Sequence, residues 1–164
     1  MSPLLEKVSR FSPGTITILL LFYGIFVAIG NLFDGKGAGS NPVKVLMKLF
    51  ILLVAVFIGL YFSAPYKIGM IVSLAGMGFF AFSIVPGMQL YVLQLAEKHL
   101  SGTEDVASSL NIAAFNIGIA TGSYACGLLV TSSFGIQSIS LASARFVFIA
   151  FLLSVIGFTK QQDN

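Results

Sequence analysis

The chain has 164 residues, of which 57% are hydrophobic and only 9% charged, and nine Lys/Arg against six Asp/Glu leave a net charge of +3. A water-soluble domain devotes about a quarter of its residues to charge, so this chain cannot clothe itself for water and its composition is that of a protein whose surface meets lipid. The basic residues stand singly between apolar runs rather than in a stripe, which argues against a nucleic-acid partner and fits the helix-end cations that orient membrane proteins.

A helix crossing about 30 Å of hydrocarbon needs about 20 mostly apolar residues. Five segments meet that condition, at about 14–33, 45–63, 66–95, 106–130 and 141–158, and together they predict one all-α membrane domain over residues 1–164. Before the first span, Met1 to Arg10 carries Glu6, Lys7 and Arg10. The span that follows is long enough to cross and has no nearby small-residue cleavage site, so it is read as a retained helix and not as a signal peptide. The connection 34–44 (DGKGAGSNPVK) holds Gly35, Gly37, Gly39 and Pro42 with Lys36 and Lys44, and SAPY at 63–66 is a tight turn.

The third span is longer than one crossing requires and contains Pro86. Proline lacks the N–H that would bond the carbonyl of Phe82, so a kink is expected there. Gln89, just beyond it, is a candidate for solute contact or for a hydrogen bond within the bundle. Earlier in the same span, Gly69, Ser73, Gly76, Gly78 and Ser83 form a run of small residues suited to helix packing. The connection 96–105 (AEKHLSGTED) is the most charged stretch. Its Ser101 and Glu104 fit a capping box, and Glu104 and Asp105 sit at the positive end of the helix that begins there. His99 belongs to this charged stretch and reads as a solvated residue, not as a proton carrier. No acidic or basic residue lies deep within any span.

The fourth span mixes small and polar residues throughout: SSLNIAAFNIGIATGSYACGLLV, from Ser108 to Val130. Helical spacing sets Ser109, Ala113, Asn116, Ala120, Ser123 and Gly127 on one stripe, and Asn111, Phe115, Gly118 and Gly122 on another. Gly118 and Gly122 form a small-x-x-x-small pair that permits close backbone approach, so they and Pro86 are the candidates for helix packing. Asn111 and Asn116, with Gln89, are the candidates for lining a solute cavity, because an amide facing lipid is costly.

Signatures of an enzyme are missing from the sequence: it has no Walker-type phosphate loop, no His/Glu metal pair on a helix and no nucleophile with a recognisable base. No cofactor or metal is expected. Cys126, the only cysteine, lies in an apolar run and cannot form an intramolecular disulfide or a multi-cysteine metal site. The glycines from Gly35 to Gly39 connect two spans with no strand before them, so they read as a turn. Lys36, Lys44, Lys48, Lys98 and Lys160 fall on one side of the five spans, and Lys7, Arg10, Lys67 and Arg145 on the other. That count favours a cytoplasmic C-terminus and 34–44 connection.

Three stretches resemble the major facilitator superfamily, in particular the drug/proton-antiporter group with bacterial arabinose- and sugar-efflux permeases. They are FSPGTITILLLFYGIFVAIGNLF (Phe11 to Phe33), FSIVPGMQLYVLQLA (Phe82 to Ala96) and ASSLNIAAFNIGIATGSYACGLLV (Ala107 to Val130). The resemblance implies that the spans are the eighth to twelfth of twelve helices, that Met1 to Arg10 is the outer end of the seventh, and that the protein lies in the inner membrane. Where the family reads like G-K-L-A-D-R between the eighth and ninth helices, this chain has Gly37, Gly39 and Ser40 in place of the leucine and the two charges of a cytoplasmic gate. The implied function is efflux of a small solute by an incomplete C-terminal portion, with a separately encoded N-terminal part as the candidate partner. The alternatives are a membrane assembly fragment that does not transport and an inert remnant of a disrupted permease.

Overall fold

Once a backbone enters hydrocarbon it must satisfy its own hydrogen bonds, and a helix does so within one segment. In the computed structural model, which describes residues 5–6, 8–37, 42–100, 102–131 and 138–162, five helices result. They are α1 (Pro13–Gly37), α2 (Pro42–Ser63), α3 (Lys67–His99), α4 (Glu104–Thr131) and α5 (Ser138–Gln162), each long and apolar enough to cross a membrane. No strand occurs among the described residues.

Most helices run past their apolar parts. α1 takes in Asp34 to Gly37, which the sequence places in a connection, and α2 begins at Pro42, where a missing N–H costs nothing in the first turn. Emerging from lipid does not end a helix, because the ladder still satisfies the backbone in water. Gly39 and Ser40 of the expected gate segment, and Ser101 of the expected capping box, lie outside the described residues. α3, with 33 residues, is about 50 Å long at 1.5 Å per residue, and it continues through Pro86 without a break.

α3 is the centre of the bundle. It packs along α1 and α2 and, over a shorter stretch, against α4, while α5 lies on α2. One apolar cluster joins Leu5, Phe11, Ile16 and Leu19 to Leu60, Ala64, Met70 and Leu74. A second joins Leu46, Leu49, Phe50 and Leu53 of α2 to Met77 and Ile84 of α3, with Val147 and Phe151 of α5 against it. The α2 residues recur at the spacing of one helical face.

Between lipid-embedded helices, tails are as apolar as the interface, so close packing and interhelical hydrogen bonds take over the work done by hydrophobic burial in water. α1 and α3 show both. A Cβ on Gly30 would collide with the Phe79 carbonyl, and one on Gly78 would lie 3.0 Å from the Tyr23 carbonyl oxygen. The fully buried Ser83 hydroxyl donates to the Gly30 carbonyl at 3.0 Å and to the Phe79 carbonyl at 2.8 Å. α2 and α3 are joined near their connection by the Ser63 and Ser73 hydroxyls, 3.1 Å apart. α4 differs from all of these, since none of its residues is buried.

Candidate functional site

Gln89 stands one turn beyond Pro86 on α3 and is half-buried against α4. Its Nε2 donates to Ser108 Oγ at 2.6 Å, and its Oε1 accepts from Asn111 Nδ2 at 2.5 Å. Ser108 and Asn111 are three apart on α4 and therefore share a face. Gln89 precedes Leu100 by eleven residues, which sets the cluster about 16 Å along α3 from the connection, inside the apolar length of both helices. Two amides and a hydroxyl thus close on one another without any charge, and together they can donate to and accept from a neutral polar group.

The connection that positions α4 is short. Gly102 has φ +88°, a left-handed conformation that side chains disfavour. Its N–H donates to Glu104 Oε1 at 3.1 Å, and the Thr103 hydroxyl donates to the Leu100 carbonyl at 2.6 Å. Thr103 is the residue before the helix, and the Ala107 N–H donates to its carbonyl at 2.9 Å. Glu104 thus braces the turn before α4 by accepting from Gly102.

The structure brings together two of the three amides singled out by sequence. Asn116 is five residues after Asn111, about 140° around the helix, and it is exposed with Ser109, Ala113, Ala120, Ser123 and Gly127. That stripe faces away from the other helices of the chain. Pro86 is half-buried within α3.

The close approach expected at Gly118 and Gly122 does not occur within the described chain, where a Cβ on either would meet nothing within 4 Å. The reason is that α4 stands away from α5, leaving a cavity of about 440 Å³ whose walls include Phe57, Gly118, Gly122, Cys126, Ser143 and Phe146. The tightest glycines are Gly30, Gly69 and Gly78, of which Gly69 and Gly78 belong to the run of small residues expected to pack on the third span. Sequence reasoning overlooked Ser108, although its place three residues before Asn111 was a signal. It also overlooked Gly30, which sits in an apolar run with no small partner beside it. Among the described residues no group of three or more His, Cys, Asp or Glu could hold a metal ion.

No family model matches the chain, and no solved structure matches it. It is 46% identical over 136 residues to the uncharacterized MFS-type transporter YtbD of Bacillus subtilis, covering 83% of this chain and 34% of that protein. It is 30% identical over 164 residues to the inner membrane transport protein YdhP of Escherichia coli O157:H7, covering 100% of this chain and 41% of that one. A probable sugar efflux transporter of Helicobacter pylori J99 is 26% identical over 141 residues, 85% of this chain and 34% of the relative. The chain therefore spans 34% to 41% of the length of these relatives, each described as a transporter or transport protein. With five helices long and apolar enough to cross a membrane and these relatives, the chain belongs to the major facilitator superfamily.

Proposed function

We propose that this chain carries part of the solute path of a small-molecule efflux permease, with α4 as a path-lining helix. The carrying observation is the exposed stripe of small and polar residues through Asn116 on a helix long enough to cross the membrane. An amide turned to lipid would forgo its hydrogen bonds, so this face meets a water-filled space or another part of the transporter. Gln89, Asn111 and Asn116 offer neutral donors and acceptors, which suit a hydroxyl-rich solute. The sugar-efflux description of the Helicobacter relative agrees with that chemistry.

Alternating access requires two helix bundles moving about a shared midplane site, and five helices supply less than that. In this reading the helices are the eighth to twelfth of a twelve-helix permease in the inner membrane. The 34–44 connection and the C-terminus face the cytoplasm, and an N-terminal part completes the path. The test is to co-express the chain with the first seven helices of a permease such as YtbD and to follow efflux of labelled sugars from loaded cells. Asn116→Leu should cut efflux at least tenfold, whereas Leu153→Ala, on a lipid-facing position of α5, should not. Equal effects would rule out α4 as a path-lining helix. The unburied α4 also favours a second reading, a membrane assembly fragment that does not transport; restored efflux on co-expression would exclude it.

A further inference from the structure

α4 is held to the bundle differently from its neighbours. α1, α2, α3 and α5 share buried apolar clusters, yet α4 contributes no buried residue to either. At its start lies Gly102 in a left-handed conformation, a position where the chain can turn with little steric resistance. Two to three turns further on, Ser108 and Asn111 are bonded to Gln89 of α3. Beyond that point α4 borders the open space beside α5.

A pivot, a polar tie and room to move therefore follow one another along a single helix. We infer that Gln89, Ser108 and Asn111 form a releasable clasp, and that α4 swings about Gly102 toward the cavity beside α5 when the clasp opens. Interhelical hydrogen bonds in bilayers are individually weak, so three neutral side chains can part and re-form. The three can also exchange one another for water or a solute hydroxyl without stranding a charge. Each swing carries the Asn116 stripe with it, because the stripe and the clasp belong to one rigid helix. The inference goes beyond the transport reading and is independent of which solute is carried.

Spin-label distances measured on the full 164-residue chain in lipid nanodiscs test it, in a Cys126→Ala background. One label pair at Phe62 and Tyr124, both exposed, reports α4 against α2, and a second at Leu32 and Val72 reports α1 against α3. Asn111→Leu and Gln89→Leu should each broaden and shift the first distribution by several ångström while leaving the second unchanged. Ser108→Ala, which keeps the Asn111 bond, should give a smaller shift, and Ser108→Thr should retain the narrow distribution. Unchanged Phe62–Tyr124 distances in Asn111→Leu and Ser108→Ala alike would overturn the clasp. So would an equal shift from Asn116→Leu, which touches none of the three groups. Movement of both pairs would overturn the claim that α4 moves by itself.

Discussion

A glycine's meaning depends on what faces it, and the glycines of this chain divide accordingly. Gly30 lies against the Phe79 backbone, which cannot yield as a side-chain tip can. Gly30→Ala should therefore lower stability by about 1–3 kcal/mol, the usual cost of overpacking, seen as a lower midpoint of thermal unfolding in detergent. Gly118→Ala meets open space and should be neutral or raise stability by up to about 1 kcal/mol through helix propensity. A larger loss at Gly118 than at Gly30 would contradict the α1–α3 crossing described above. Sequence alone pointed to Gly118 and passed over Gly30. The Gly118-x-x-x-Gly122 spacing announces that close approach is possible, but nothing in one chain's order of residues says which helix arrives. For Gln89 and Asn111 the polar-in-apolar signal was enough to mark them, while their bond to each other depends on the register of α3 against α4.

At the level of the helix, the five elements were legible because hydrocarbon thickness leaves so little choice: runs of about 20 apolar residues become crossings. Their ends were not, since Asp34 to Gly37 continue α1 in a setting where hydropathy no longer governs backbone bonding. Pro86 is the local exception within α3. Pro86→Ala restores an N–H that can donate to the Phe82 carbonyl, so amide exchange across residues 82–90 should slow at least several-fold. Unchanged or faster exchange would show that the carbonyl is already satisfied in some other way. A stiffer segment should also hold Gln89 more firmly in its place opposite Ser108 and Asn111, because the amide is three residues from the altered position.

For the whole molecule, the chain spans 34% to 41% of the relatives' length. Purified chain in sealed vesicles under an imposed pH gradient should neither accumulate nor expel sugars or cationic drugs, since alternating access takes two bundles and no acidic or basic residue lies deep in these five spans. Uphill flux would mean that copies of the chain assemble a complete path among themselves. The cavity beside α5 has a practical consequence here. Cys126, the only cysteine of the chain, is part of its wall, so the molecule carries its own gauge. Thiol reagents of graded width, applied to the unaltered protein in a bilayer, measure how large that space is. Repeating the series after co-expression with the first seven helices of a permease such as YtbD shows whether the space is lost, kept or merely reshaped in their presence.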